Sequence, residues 1–387
     1  MISTALLVMI YLSFVSLGLP DSVLGSAWPS MLGDIHAPVW GAGLVQMVVS
    51  FGTIVSSLNS ARLIRRFGTG RLTAFSVLTT ALALLGISFT GHYAWLILMA
   101  VPLGLGAGAV DAALNNYVAL HCAPRHMSWL HCFWGVGTTI GPIILSACMS
   151  AGASWRAGYW TIGLMQCALS AALLLTLSLW RREGTQAEER AAKVLSVRQV
   201  LALPGAKQGM ATFLCYCAIE STLILWGPTY MVFARGIDEV QAASFGSLVC
   251  IGITVGRALS GFMTLKFKPR QLVQMGQAVL ALGLMLMLVP ARGAMIAAFV
   301  LCGLGCAPIY PNIIQDTPVN YGAENSQAAV GVQMASAYIG STFMPTIFGA
   351  MAGVLGYGAL PAVILVLTAV MAATFVWQKR VVDGAGR

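Results

Sequence analysis

RREGTQAEERAAKVLSVRQVLALPGA, residues 181–206, is the one long polar stretch in a chain of 387 residues, setting Glu183, Glu188 and Glu189 among Arg181, Arg182, Arg190, Lys193 and Arg198. On either side the chain is apolar with little interruption. Hydrophobic residues make up 58% of the sequence and charged residues 9%, against roughly a quarter charged in an ordinary soluble domain. Most of such a surface must face lipid. A span needs about 20 apolar residues to cross a hydrocarbon core about 30 Å thick. Weakly charged runs of that kind are read at 4–31, 40–61, 72–90, 94–122, 127–151, 155–180, 207–234, 240–264, 271–291, 293–316, 326–353 and 356–378. The polar stretch then divides an all-α membrane protein of about twelve helices into an N-terminal half over 1–180, a cytoplasmic linker over 181–206 and a C-terminal half over 207–387.

The basic residues orient these spans. Arg62, Arg65, Arg66 and Arg71 follow the second span; Lys207 and the basic residues of 181–206 follow the sixth. Lys266, Lys268 and Arg270 follow the eighth, and Lys379 and Arg380 the last. Lysine and arginine accumulate in cytoplasmic loops, so these connections and both termini are expected on the cytoplasmic side of an inner membrane. The opposite face holds little more than Arg156, Arg235 and Arg292. The net charge of +9 is thereby a topology and lipid-headgroup signal, and no nucleic-acid partner is expected. The first span opens at Met1 without a basic leader and is interrupted by Pro20 and Asp21, so a cleaved signal peptide is not expected.

One offset relates the two halves. Asp21-Ser22 with Pro29 falls on Glu220-Ser221 with Pro228, since 220 − 21 and 228 − 29 are both 199. Gly104-Leu105-Gly106 falls on Gly303-Leu304-Gly305 and Ile140-Gly141 on Ile339-Gly340 at the same offset, and Arg66-Phe67 matches Lys266-Phe267 within one residue. A register that holds in separated places indicates duplication. Duplicated halves of membrane carriers place their solute site between them, near the midplane.

Ionisable groups inside spans are costly and are functional candidates by default. Asp21, Asp111 and Glu220 are the three acids so placed, and all three are expected to take part in proton coupling. Pro20 frees a carbonyl one turn earlier and opens the backbone beside Asp21. Asp111 and Asn115 are four apart, on one helix face, while Gly104 and Gly108 form a small-residue face for close helix approach. These glycines do not form a dinucleotide-binding turn, because no strand precedes them. Gln46, Asn115, Asn116, His131, Trp134, Trp226, Tyr230, Tyr310, Asn312, Gln315, Gln333 and Tyr338 supply amides, an imidazole and aromatic faces suited to a hydroxyl-rich solute. Arg257, deep in apolar sequence, and Arg62 and Arg66 near a turn are candidates for a cytoplasmic gate. The nine cysteines are expected to be packing residues. The closest spacings, Cys215 with Cys217 and Cys302 with Cys306, lack the second pair or histidine that a metal site requires. No metal or cofactor is expected, and no catalytic pair with an oxyanion or metal partner is found, so the chain is not read as an enzyme.

With these residues in place, the chain resembles the major facilitator superfamily, and within it the fucose:proton symporter family. The resemblance rests on Gly18-Leu-Pro-Asp21 in the first span, on Gly104-Leu-Gly106 through Asp111 to Asn115 in the fourth, and on Met127-Ser-Trp-Leu-His131-Cys-Phe-Trp-Gly135-Val-Gly137 in the fifth. It implies a proton-coupled carrier of a sugar or related small polar metabolite, with Asp21 and Asp111 concerned with proton uptake and sugar recognition. There are departures. Asp111 stands where fucose permease has the longer Glu, Asn116 stands where proline is expected, and Glu220 is similar to the sodium-dependent glucose transporter-like branch, which admits sodium as coupling ion. Gly137-Thr-Thr-Ile-Gly141-Pro142 partly resembles the fifth-span motif of drug antiporters, and the alternative expectation is a proton-driven exporter of amphipathic compounds. The expected partners are the solute, the coupling ion and membrane lipid, and the chain is expected to act as a monomer.

Overall fold

A computed structural model describes residues 3–37, 41–180, 193–237 and 239–385. Most of the linker, 181–192, lies outside the described residues. The described chain is helical throughout, with no strand among the described residues. Its helices are α1 (Thr4–Asp21), α2 (Val23–Asp34), α3 (Gly41–Phe67), α4 (Thr69–Ser88), α5 (Tyr93–His121), α6 (Pro124–Ser150), α7 (Trp155–Leu175), α8 (Val197–Leu201), α9 (Ala206–Arg235), α10 (Glu239–Met263), α11 (Pro269–Leu286), α12 (Arg292–Cys306), α13 (Ile309–Gln315), α14 (Thr317–Tyr321), α15 (Ala323–Leu355) and α16 (Leu360–Ala385). Ten helical stretches among the described residues are long and apolar enough to cross a membrane. The shorter apolar stretch Leu248–Met263 and α11, whose three glutamines and Arg270 make it less apolar, are consistent with twelve spans.

Proline and glycine shape these helices. The first span is broken after Asp21, where Pro20 lies inside α1 and the Ser22 N–H turns back to the Pro20 carbonyl. Pro102, Pro142, Pro228 and Pro345 lie inside α5, α6, α9 and α15. Close packing follows the repeat. A Cβ at Gly104 would strike the Val49 carbonyl of α3, and one at Gly303 would strike the Val249 carbonyl of α10. Small residues of this kind let helix backbones approach where lipid gives no hydrophobic drive to associate. Thr53 and Ser57 of α3 use that closeness, donating to the Gly104 and Gly108 carbonyls at 3.2 and 3.1 Å.

The contacts gather into two compact units. The first takes in residues up to Cys122, Leu130–Leu195 and Ala323–Ala335; the second takes in Ala123–Trp129, Ser196–Gly322 and Ser336–Arg387. Helices α6 and α15 thus each contribute to both units. The opening turns of α15 join the first unit through hydrogen bonds: Gln327 donates to Ser60 at 3.0 Å, and Ser326 to the Asn116 amide oxygen. The opening turns of α6 join the second, where Ser128 donates to Ser260 at 3.3 Å and the Trp129 ring meets Phe262 edge-on.

Candidate functional site

In the first unit, the break in the first span projects the Asp21 carboxylate toward α6, where Oδ2 accepts the Trp134 indole N–H at 2.8 Å. The break is pinned by Ser22, which donates to the Thr138 carbonyl at 2.6 Å. One helix away, Asp111 is buried on α5. The spacing of four brings Asn115 beneath it, and the Asn115 Nδ2 donates both to the Asp111 Oδ1 at 2.7 Å and to its carbonyl at 3.0 Å. The other side of the same amide meets α6, with Asn115 Oδ1 2.9 Å from His131 Nε2. The His131 ring rests edge-on against Phe14 of α1 at 5.4 Å. Tyr11 of α1 stacks on Phe133 of α6 at 4.6 Å. Two carboxylates, an amide, an imidazole and an indole are thereby held on α1, α5 and α6.

In the second unit, Glu220 on α9 receives a hydrogen bond from the Arg257 Nη2 of α10 at 3.0 Å. The guanidinium side chain is 3% exposed and the carboxylate 16%. Tyr216 lies one turn before Glu220 on the same helix and is fully buried. Tyr310 packs on Phe213 at 4.7 Å and on Tyr216 at 6.0 Å, forming an aromatic wall beside the ion pair. Asn312 is buried; its amide donates to the Pro308 carbonyl at 2.7 Å and reaches Ser260 at 3.4 Å.

The remaining candidates are placed differently. Gln315 and Gln333 are buried, in the second and first units respectively, and Tyr338 is partly buried in the second. Gln46 is exposed on α3. The Trp226 indole donates to the Pro345 carbonyl at 2.8 Å and packs among Phe348 and Tyr357. Tyr230 is fully buried, donating to the Met287 carbonyl at 2.9 Å and accepting from Arg235 at 2.7 Å. Arg62 is exposed and donates to Asn59 of its own helix at 2.9 Å, while Arg66 is exposed beside Phe67. Among the described residues no cluster of histidine, cysteine and acid could hold a metal ion. Sequence alone did not single out Tyr216, Ser260, Ser326 or Gln327. Tyr216 carried a usable signal, lying four residues before Glu220 on the same helix face.

Known proteins resemble this chain along most of its length. Bypass of stop codon protein 6 of Saccharomyces cerevisiae is 22% identical, with 96% of this chain and 82% of the yeast protein covered. An uncharacterised MFS-type transporter of Escherichia fergusonii, YcaD, is 25% identical over 79% of this chain and 78% of its own. Among solved structures, FucP in the outward conformation matches with a TM-score of 0.79 at 14% identity, covering 96% of this chain and 97% of FucP. The proton:xylose symporter XylE, bound to 6-bromo-6-deoxy-D-glucose, also gives 0.79, at 13% identity over 97% of this chain and 95% of XylE. At such identities the structural likeness establishes the fold. The family model described as Major Facilitator Superfamily matches residues 10–315. With that match, the duplicated helical fold and the carboxylates inside its spans, the chain is a multi-pass membrane transporter, not an enzyme, and belongs to the major facilitator superfamily.

Proposed function

We propose that this transporter carries a sugar or related small polar metabolite by alternating access, driven by protons. One observation carries the reading: the acids differ in the partners that hold them. Asp21 accepts from an indole, and Asp111 accepts from an amide. Glu220 is held by a buried guanidinium. Neutralising a carboxylate that has neutral partners leaves no unmatched charge behind. Neutralising Glu220 would strand Arg257, and an uncompensated buried charge is strongly destabilising. Asp21 and Asp111 are therefore assigned the proton, and the Glu220–Arg257 pair a fixed polar anchor.

Substrate hydroxyls would be met by the carboxylates and by the amide and aromatic groups of α5, α6 and α13, which hydrogen-bond hydroxyl edges and pack on apolar ring faces. Two proteins of this fold, the E. coli fucose:proton symporter and the proton:xylose symporter, support the choice of solute and of coupling ion. We place the chain in the inner membrane with both termini cytoplasmic, as a monomer of two six-helix halves joined by 181–206. Purified protein in vesicles tests the function. An imposed inward proton gradient should accumulate at least one member of a monosaccharide panel that includes L-fucose and D-xylose. Asp111→Asn should abolish accumulation and spare counterflow. Sodium-dependent accumulation would replace the coupling ion. Binding of lipophilic cations with no sugar bound or transported would favour an exporter of amphipathic compounds and end the sugar reading.

A further inference from the structure

The buried chain Asp111, Asn115 and His131 has a direction. Asn115 turns its Nδ2 to two acceptors on Asp111, the carboxylate Oδ1 at 2.7 Å and the main-chain carbonyl at 3.0 Å. With the donor end so committed, the end facing α6 is the amide oxygen, 2.9 Å from His131 Nε2. An oxygen can only accept, so Nε2 must carry the hydrogen. Reversing the amide would set its oxygen against both Asp111 acceptors, which is unfavourable unless the Asp111 carboxyl itself carries a proton. All three side chains are buried, so water does not blunt the preference.

We propose that His131 is a positioning residue for proton coupling: its Nε2–H fixes the Asn115 amide so that Asn115 stabilises the ionised form of Asp111. The inference rests on the assignment of Asp111 as a proton carrier. The groups that titrate around His131 come from several helices. α5 presents Asp111; α1 presents Tyr11, on Phe133, and Asp21, one helical turn up α6 through Trp134. α15 brings Glu324 near Lys193, at the far end of the neutral contacts made by Ser326 and Gln327. On its own helix His131 has Cys132 beside it and Arg125 and His126 toward the start. Of these, Asp111 is reached through a single amide whose two ends are both occupied. When Asp111 takes a proton from water, the amide is free to reverse, and His131 then faces an N–H in place of an oxygen and must hold its own hydrogen on Nδ1.

The test is infrared difference spectroscopy on the full chain in lipid vesicles, following the protonated-carboxyl band that Asp111→Asn removes. His131→Gln keeps an N–H donor, His131→Phe removes it, and Asn115→Ala removes the bridge from the other side. All are compared at the pH where the band stands at half height in the unaltered protein. Loss of the hydrogen bond to the carboxylate should shift the protonated-to-ionised ratio about 10- to 100-fold toward the protonated form in Asn115→Ala, and loss of the neutral bond that holds the amide should shift it the same way by about 10-fold in His131→Phe. His131→Gln should stay within a few-fold of the unaltered ratio. Should His131→Phe fail to fold, Asn115→Ala carries the same expectation. If the band titrates and His131→Phe does not move it, or if His131→Gln moves it as far as His131→Phe does, the positioning role is overturned. If no titrating band is lost in Asp111→Asn, the assignment of Asp111 as proton carrier falls first, and the role of His131 with it.

Discussion

Glu220→Gln isolates the buried ion pair of the second unit. The guanidinium of Arg257 is 3% exposed and the facing carboxylate 16%, with an Nη2–Oε1 distance of 3.0 Å. Removing one member of a buried pair typically costs about 3–5 kcal/mol, because the survivor remains charged without compensation. The partial exposure of Glu220 places the expectation at the low end, about 3 kcal/mol. That is roughly a hundredfold shift in the unfolding equilibrium. The assay is reversible unfolding in mixed micelles of rising denaturing-detergent fraction, run on Glu220→Gln, on the single variants Glu220→Met and Arg257→Met, and on the double variant Glu220→Met/Arg257→Met. Replacing both partners by apolar side chains of similar size should be close to neutral, so the two changes should couple by about 1.5 kcal/mol or more. If Glu220→Gln lies within about 0.5 kcal/mol of the unaltered protein, or if the single effects simply add, Arg257 is not held as a charge by Glu220 and the division of labour among the acids loses its basis.

Gly104→Leu should destabilise the first unit by about 1–3 kcal/mol or more, since a side chain there meets the Val49 carbonyl; Gly303→Leu should do the same in the second unit at Val249, and thermal unfolding reads both. Lys379→Met should cost about 3 kcal/mol, because it leaves Asp316 buried without the ammonium now 2.8 Å away, and unfolding in mixed micelles measures it. Outside the spans, hydrogen bonds from the Trp155 indole and the Arg156 guanidinium hold the Asp34 carboxyl below the usual carboxylate range. A lowered folded value stabilises above the unfolded value near pH 4 and is lost as pH falls through the folded one. Acid titration of stability should therefore show a loss below about pH 4 that Asp34→Asn lacks.

The fold was legible because its determinants are local or repeated. A single polar stretch, apolar runs of span length and one offset of 199 residues need no knowledge of which helix packs on which. The glycine seams followed from the same register, since Gly104 and Gly303 occupy matching places in their units. The acids were legible as well, because a carboxylate in an apolar run is costly wherever the helix faces. Their partners were not. Trp134 lies 113 residues from Asp21, and Arg257 lies 37 from Glu220 on another helix. Which residues meet depends on helix rotation, and helices such as α1 and α5, apolar on nearly every side, carry no stripe that would reveal it. The same ambiguity covers the aromatics. Trp134 and Trp226 look alike in sequence, yet one indole donates to a carboxylate and the other to the Pro345 main-chain carbonyl.

Matching positions of the repeat show how one scaffold came to hold two chemistries. Asp21 and Glu220 are equivalent by the offset, but the cation that answers Glu220 has no counterpart in the first unit: 200 and 199 residues before Arg257 stand Ser57 and Leu58. Asp21 turns instead to an indole. A second equivalent pair diverges in the same direction. Tyr117 and Trp180 of the first unit lie 199 residues before Asp316 and Lys379 of the second, and where the former make an aromatic contact at 5.3 Å the latter make a buried ion pair at 2.8 Å. In both places the second unit uses matched charge where the first has an aromatic ring in place of the cation. Buried ion pairs contribute little net stability but resist rearrangement, since separating them exposes two costly charges. Neutral partners leave a carboxylate free to gain and lose a proton without that penalty. Duplication supplied two acid-bearing first helices, one broken after Asp21 and one continuous through Glu220, and on the proposed reading the loss or gain of one arginine decides which acid can cycle.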